Sequence, residues 1–242
     1  DAASRDDVEI VAGIGPKGRD YIGKDIGEVA MIGKTVGAPV VDDIESVIDG
    51  ADVVCDFSTV ELGMEVLDAC LKHKKALVVG TTGFSAEQRA RLEAAASEIP
   101  VMIAANTDRM VNVMRKLLMD AAKELYEDTD IEIIDMHDNT KLDAPSGTAK
   151  SILKILNQSG TFTERYGREG MAGLRGREIG VHSLRGGTEA GEHSVHFFGE
   201  QESLTLTHRA TDRRIFAEGA LRAADFVICH APGLYAMKDL IG

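Results

Sequence analysis

Short apolar segments alternate with helical patterns along the first half of the chain, and this alternation constrains the fold more than any other feature of the sequence. The apolar segments lie at Val8–Gly13, Ala51–Phe57, Ala76–Gly80 and Pro100–Ala105, and the helical patterns lie at 42–48, at 61–73, from 85 onward and at 111–126. Near-continuous apolar runs are typical of parallel strands that are covered on both faces. We therefore predict an α/β fold with a doubly wound parallel sheet in this part of the chain.

The pattern changes in the second half. Residues 130–137 have the pattern of a strand, and a helix is predicted over 144–157. A loop rich in glycine and arginine follows, and then come three alternating segments at Ile179–Arg185, His193–Gly199 and Ser203–Arg209. Alternating strands are typical of a sheet with one open face. We expect an α+β region with an open mixed sheet, followed by a last helix over 216–228.

Composition excludes several classes of function. The 40 acidic residues outnumber the 27 lysines and arginines, which gives a formal net charge of −13, so the protein is not expected to bind a nucleic-acid backbone. No apolar stretch approaches the roughly 20 residues of a membrane helix. The first residues lack the apolar run of a signal peptide, so we expect a cytoplasmic protein. The three cysteines are far apart and include no CxxC pair, so we predict buried free thiols and no zinc site.

The segment Met136–Ala149 carries the side chains best suited to chemistry. His137 lies at the end of a predicted strand, and Lys141 follows four residues later. Ser146, Gly147 and Thr148 open the next predicted helix, where backbone N–H groups and the helix dipole favour an anion. This combination suits a small substrate whose carboxylates are bound while the molecule is protonated. The same spacing is also compatible with a capped helix beside a solvated His137 and Lys141.

The whole segment has a more specific pattern. Asp135–Ala149 resembles the signature Glu-x-His-His-x-x-Lys-x-Asp-Ala-Pro-Ser-Gly-Thr-Ala of the dihydrodipicolinate reductase family. Further similarity lies, in order, at 79–84, 180–187, 191–193 and 206–213. The likeness extends from about Val8 to the C-terminus, and so many ordered matches make a chance resemblance very improbable.

The resemblance implies a fold and an activity. It implies a Rossmann-like nucleotide-binding domain over 1–108, completed by residues 217–242, and a substrate-binding and oligomerisation domain over 109–216. It also implies reduction of a cyclic unsaturated dicarboxylate with NADPH or NADH, in lysine and diaminopimelate biosynthesis. Family members are usually homotetramers that assemble through the sheets of the substrate domain.

The resemblance also assigns roles to individual residues. By analogy, His137 is the acid/base residue and Lys141 a proton donor. The expected substrate-binding residues are Asp138, Ser146, Gly147 and Thr148. The residues expected to contact the nicotinamide end of the cofactor are Gly80, Thr81, Thr82, Ala104, Ala105, Asn106 and Thr107.

Several positions depart from the family pattern. The first strand and its Gly-x-x-Gly-x-x-Gly cofactor loop have no counterpart, so we expect the parallel sheet to lack its first strand. Gly13–Gly15 stands where an acidic partner of the ribose is expected. Asp138 replaces the second histidine, and Asn106–Met110 replaces an Asn-Phe/Tyr-Ser-x-Gly loop. Arg109 is either a substitute anion contact or a salt-bridged surface residue.

These departures leave two alternatives open beside the reductase. One is a diverged hydro-lyase or isomerase that keeps the dicarboxylate site, and the other is a binding protein without catalysis.

The remaining histidines give no metal prediction. His193 and His196 lie three apart on one strand, so they point to opposite faces and are poor joint ligands. His182 and His208 are interpreted as sheet residues.

Overall fold

The computed structural model describes residues 1–241. The chain forms two compact units: Asp1–Thr107 together with the segment that begins at Phe216, and Asp108–Ile215. We call these the first unit and the second unit. No helix within residues 1–241 combines the length and the apolar character that crossing a bilayer requires.

The first unit begins with short elements. Strand β1 (Gly13–Ile14) pairs in parallel with β2 (Val40–Val41), and helix α1 (Ile26–Val29) lies between them in sequence. The predicted strand at Val8–Gly13 is therefore wrong in extent, because only its last residue joins a ladder. The helix predicted over 42–48 is replaced by two 3₁₀ turns, the first of which is capped by Asp43.

The predicted parallel sheet follows. Its elements are β3 (Val53–Asp56), α2 (Val60–His73), β4 (Ala76–Val79), α3 (Ala86–Ala95) and β5 (Pro100–Ile103), and neighbouring strands pair in parallel. All four residues of β4 are buried because successive side chains enter two different apolar clusters. Ser85 forms a capping box with Gln88 at the start of α3, where the sequence predicts a helix. These observations confirm a strand–helix alternation with helices on both faces of the sheet.

The second unit holds a five-stranded mixed sheet. In chain order its elements are α4 (Arg109–Leu125), β6 (Asp130–His137), α5 (Gly147–Leu156), β7 (Thr163–Tyr166), β8 (Glu178–Arg185), β9 (Gly191–Phe198) and β10 (Ser203–Ala210). The strand order is β10-β9-β6-β8-β7. The predicted open mixed sheet is confirmed. The sequence did not indicate β7, because its four residues are mostly polar and exposed.

One face of this sheet packs against α4 and α5. Ile131 and Ile133 on β6 are fully buried in that core, together with Val195 and Phe197 on β9. Because side chains of a strand alternate between faces, Asp135 and His137 lie on the same face as Ile131 and Ile133. The period of β6 thus directs two titratable groups toward the helix side of the sheet.

The C-terminal elements return to the first unit. Helix α6 (Arg214–Ile228) precedes β11 (Gly233–Tyr235) and α7 (Met237–Ile241). Strand β11 pairs in parallel with β5, so the four-stranded order is β11-β5-β4-β3. Residues 233–235 form a strand because β5 offers them a free edge.

A groove of about 670 Å³ separates β3 from the extended N-terminal segment. Residues 8–14 and 53–58 both line the groove, so neither side pairs with the other. Cys55 on β3 is exposed, as is Cys229, whereas Cys70 is buried. The prediction of three buried cysteines is therefore wrong for Cys55 and Cys229.

An N-cap starts the second unit and explains one departure from the family pattern. Asp108 Oδ1 accepts from the backbone N–H of Met110 at 2.8 Å, and Asp108 Oδ2 lies 2.9 Å from His208 Nε2. Serine and aspartate are both preferred N-caps, so Asp108 replaces the family's serine without loss of the helix start. Arg109, the first helical residue, is exposed.

Helix α6 passes very close to the loop after β5. A Cβ built at Gly219 would lie 1.9 Å from the carbonyl oxygen of Thr107, and Thr107 Oγ1 donates to the Phe216 carbonyl at 2.7 Å. We expect Gly219→Ala to lower the free energy of unfolding by about 3 kcal/mol, because backbone must move to admit the methyl group. Urea unfolding followed by circular dichroism measures this.

Gly147→Ala is the matched control, since a Cβ at Gly147 meets no atom within 4 Å. Its effect should stay within about 1 kcal/mol of zero. Equal stabilities of the two variants would contradict the close approach of α6 to Thr107.

Candidate active site

The Asp135 carboxylate lies at the centre of the polar site in the second unit. This side chain is fully buried at the end of β6. Its Oδ2 accepts from the backbone N–H of Ser146 at 2.9 Å and from Arg185 Nη2 at 3.0 Å. Its Oδ1 lies 3.1 Å from His137 Nδ1 and 3.3 Å from His193 Nε2. One carboxylate therefore joins the end of β6, the start of α5 and two neighbouring strands.

The partners of Asp135 keep it ionised. Burial alone would raise the pKa of this carboxyl, because a charge is costly away from water. The nearby His193 imidazole and the hydrogen bonds from the Ser146 N–H and Arg185 outweigh burial and hold the pKa well below its usual range. Asp135 is thus a fixed anion that orients the groups around it.

The surroundings of His137 favour the uncharged form of its imidazole. Burial lowers the pKa of its imidazole, and the charges of His193, Lys141 and Arg185 lower it further, against the opposing effect of Asp135. The ring also lies against the backbone of Gly191, where a Cβ would come within 3.1 Å of Nε2. A glycine at this position leaves room for the imidazole.

The loop after β6 carries the other predicted side chains. Lys141 Nζ lies 2.7 Å from Asp143 Oδ1. Asp138 Oδ2 accepts from Arg213 Nη2 at 2.9 Å, while Asp138 Oδ1 accepts from the backbone N–H and the hydroxyl of Thr140. The carboxylate that replaces the family's second histidine therefore brings a cation, Arg213, to this loop.

Helix α5 begins as the sequence predicts. Ser146 is its N-cap and accepts from the backbone N–H of Ala149 at 3.1 Å. The Ser146 hydroxyl also lies 3.1 Å from His193 Nε2. Gly147 faces open space. His137 and the first turn of α5 thus share the Asp135 carboxylate, whereas the ammonium group of Lys141 is paired with Asp143.

The residues predicted to contact a cofactor lie in the first unit, at the carboxyl end of its parallel sheet. Gly80 and Thr81 follow β4, and their N–H groups point to the Asp56 carbonyl at 2.8 and 3.3 Å. Thr81 Oγ1 accepts from the Ser58 N–H at 2.8 Å. A Cβ at Gly80 would lie 2.0 Å from the ring of Phe57, so this loop requires glycine. Thr82 is exposed.

The second loop that the sequence predicts to contact a cofactor follows β5. Ala104 is buried and its N–H donates to the Val79 carbonyl at 2.9 Å, while Ala105 is exposed and Asn106 half-buried. Thr107 is 1% exposed, so its side chain serves the fold. Ligands of doubly wound sheets bind at this edge of the strands, which fits a nicotinamide at these two loops. Within residues 1–241 no Gly-x-x-Gly-x-x-Gly turn joins a strand of this sheet to a following helix; the turn after β4 has two glycines, Gly80 and Gly83.

Four residues of the second-unit site were not predicted from the sequence as site residues: Asp135, Arg185, His193 and Arg213. Asp135 stands at the family's glutamate position in the signature, and that position was the available signal. Arg185 and His193 come from other strands and meet Asp135 only because β8 and β9 flank β6. No local pattern reveals such a contact.

Removing the charge of Asp135 should destabilise the second unit. We expect Asp135→Asn to lower the free energy of unfolding by about 3–5 kcal/mol at neutral pH, because Arg185 loses its buried partner. The depressed pKa of Asp135 means that its contribution is present above the usual aspartate range and is lost as pH falls through the folded-state pKa. The difference between the two proteins should therefore shrink in acid.

Urea unfolding at neutral and acidic pH measures both effects. Asp143→Asn is the control, because it breaks an exposed ion pair that should contribute less than about 1 kcal/mol. If the two variants were equally stable, Asp135 would not have the central role described above.

Comparison with known proteins gives a consistent result. The family profile described as "Dihydrodipicolinate reductase, N-terminus" matches residues 1–107, and "Dihydrodipicolinate reductase, C-terminus" matches residues 110–241. The 4-hydroxy-tetrahydrodipicolinate reductase of Geobacter metallireducens is 42% identical over 230 residues, which cover 93% of this chain and 86% of the relative. The corresponding enzyme of Alkalilimnicola ehrlichii is 43% identical over 242 residues, which cover 98% and 90%.

A solved structure supports the same assignment. Dipicolinate-bound dihydrodipicolinate reductase from Paenisporosarcina sp. TG-14 superposes with a TM-score of 0.74 at 27% sequence identity, over 97% of this chain and 90% of that one. The resemblance of the sequence, both family profiles and this fold agree. The chain belongs to the dihydrodipicolinate reductase family.

Proposed function

We propose that this protein reduces 4-hydroxy-tetrahydrodipicolinate, a cyclic dicarboxylate of lysine and diaminopimelate biosynthesis, with a reduced nicotinamide cofactor. The observation that carries the proposal is the shared Asp135 carboxylate, which holds a proton-transfer group, His137, next to the first turn of helix α5. The relatives that match nearly the whole chain are named for this reaction, which favours it over a hydro-lyase or a binding protein.

The substrate carboxylates would bind at the start of α5. The N–H groups and the dipole of the first turn attract an anion, and the space beside Gly147 is open. Ser146, Gly147 and Thr148 are the residues we assign to this role. We assign Asp138 an indirect role, since its own negative charge opposes a carboxylate while its partner Arg213 attracts one.

Binding of a dianion would change the protonation of His137. In the free protein, burial and nearby cations lower the pKa of this imidazole. An anionic substrate offsets those cations and raises the pKa, so proton uptake accompanies substrate binding. His137 then donates the proton that reduction of the ring requires. The ammonium group of Lys141 supplies a second proton donor at the same loop.

The cofactor residues would act in the first unit. The bound nicotinamide supplies the hydride of the reduction. Thr82 and Ala105 present exposed groups at the two loops, while Gly80, Thr81, Ala104, Asn106 and Thr107 shape those loops. NADPH and NADH are both candidates, because Gly13–Gly15 offers the ribose no acidic partner. A reaction that consumes reduced nicotinamide suits the cytoplasm, as do the free cysteines.

Two substitutions test the reaction and its proton donors. We expect His137→Gln and Lys141→Met each to lower kcat about 100-fold or more, because each removes a proton-transfer group. The assay follows oxidation of NADPH or NADH with 4-hydroxy-tetrahydrodipicolinate as substrate. Lys154→Met, on the exposed side of α5, is the control and should retain the wild-type rate.

Two outcomes would count against the proposal. If the wild-type protein oxidised neither cofactor, the redox assignment would be wrong. If both variants kept the wild-type rate, the roles of His137 and Lys141 would be wrong even though the chain is a reductase.

We further propose that the protein is a homotetramer. The face of the second-unit sheet opposite α4 and α5 carries Leu184 and Phe198, each 44% exposed. Exposed apolar side chains on one face are typical of an assembly surface. We expect light scattering to give the mass of four chains, and Leu184→Glu with Phe198→Glu to reduce it. Met119→Glu, on α4, should leave it unchanged, and a monomeric wild-type protein would refute the proposal.

A further inference from the structure

Three potential metal ligands converge at the end of strand β6. One ligand atom from each of Asp135, His137 and His193 lies within 4.8 Å of the others. Asp135 Oδ1 is 3.1 Å from His137 Nδ1 and 3.3 Å from His193 Nε2. Ligands of a tetrahedral metal ion with bonds of about 2.0–2.1 Å lie roughly 3.3 Å apart. The two carboxylate–imidazole distances therefore match those around a bound ion.

The hydrogen-bonding state of these atoms supports the same interpretation. Asp135 Oδ1 and His137 Nδ1 are buried, yet neither has a hydrogen-bond partner despite the 3.1 Å between them. Buried polar atoms without a partner are rare in proteins and require an explanation. A cation between the carboxylate and the imidazole would satisfy both atoms with their lone pairs.

The surrounding charges set the strength of such a site. Asp135 Oδ2 is bound to Arg185 and to the Ser146 N–H, which leaves Oδ1 for a ligand. Arg185 and Lys141 are positive and oppose a divalent ion, although Asp143 pairs with Lys141. We therefore expect reversible rather than permanent occupancy.

The ligand types narrow the identity of the ion. Two imidazoles and one carboxylate suit Zn²⁺ and its neighbours among the transition metals, whereas Mg²⁺ and Ca²⁺ prefer oxygen ligands. The Ser146 hydroxyl, 3.1 Å from His193 Nε2, is within reach as a weaker fourth group. Water or substrate is the other candidate for that position.

We propose that Asp135, His137 and His193 form a binding site for one Zn²⁺ ion or a similar transition-metal ion, and that the bound ion inhibits the reductase activity. Inhibition follows because a metal ion on His137 Nδ1 occupies the imidazole that the proposed function uses for proton transfer. The inhibitory consequence rests on the proposed function, in which His137 transfers a proton. The binding site itself does not depend on that function.

Metal binding can be measured without any enzymatic assay. Titration of the intact protein with Co²⁺ should give the visible absorption of a tetrahedral nitrogen–oxygen site. Competition between a chromophoric chelator and the protein for Zn²⁺ should give one ion per chain. We expect His193→Gln and Asp135→Asn each to weaken Zn²⁺ binding at least 10-fold, because each removes a ligand.

His196→Gln is the matched control, because His196 lies three residues from His193 on the same strand and faces the other side of the sheet. It should bind Zn²⁺ as the wild type does. Circular dichroism shows whether each variant is folded. If Asp135→Asn fails to fold, His193→Gln still provides the test, because it removes one ligand and leaves Asp135 paired with Arg185.

The inhibitory part has its own readout. Micromolar Zn²⁺ should lower the reductase rate of the wild type and of His196→Gln, and a chelator should restore that rate. In His193→Gln the ratio of the rates with and without Zn²⁺ should be near one. Zn²⁺ binding that is unchanged in folded His193→Gln and Asp135→Asn would refute the site. Binding at the site without inhibition would refute only the inhibitory consequence, and a protein without reductase activity would leave the Co²⁺ test intact.

Discussion

The interaction on which the candidate site depends is the contact of one buried carboxylate with three parts of the second unit. The two carboxylate oxygens of Asp135 contact different groups. One oxygen fixes the start of helix α5 and the guanidinium of Arg185, and the other lies against two imidazoles. A single anion therefore sets the position of the helix that would hold a substrate carboxylate and the electrostatics of the group that would protonate the substrate. Because Asp135 is fully buried, solvent does not weaken either effect.

Local sequence patterns predicted the fold well where packing follows the periodicity of the apolar residues. The sequence predicted β3, β4 and β5 and the helices between them, because the strands are apolar runs buried on both faces and each helix has one apolar face. Prediction failed where an element owes its existence to a distant neighbour. Strand β11 forms because β5 leaves an edge unpaired, and the segment at Val8–Ala12 stays outside the ladders because a groove separates it from β3. Neither fact is contained in the local residues.

The same distinction applies to the site. His137, Lys141 and Ser146 are contiguous in one motif, so a resemblance could identify them. Arg185, His193 and Arg213 lie in other segments that resemble the family, but their contacts with the motif depend on strand order. The departures from the family pattern become understandable in structural terms. Asp108 keeps the helix cap that a serine would provide, and Asp138 replaces an imidazole but brings Arg213 to the same loop.

The first unit is built from both ends of the chain, and this has a consequence for biosynthesis. Strand β5 is translated more than a hundred residues before its partner β11, so the sheet edge and the face covered by α6 remain incomplete until α6 and β11 have been synthesised. The second unit is contiguous and can fold on the ribosome as soon as Ile215 has emerged. The nascent protein would therefore hold a formed second unit while its first unit still exposes apolar surface, which is the interval when chaperones would be needed most.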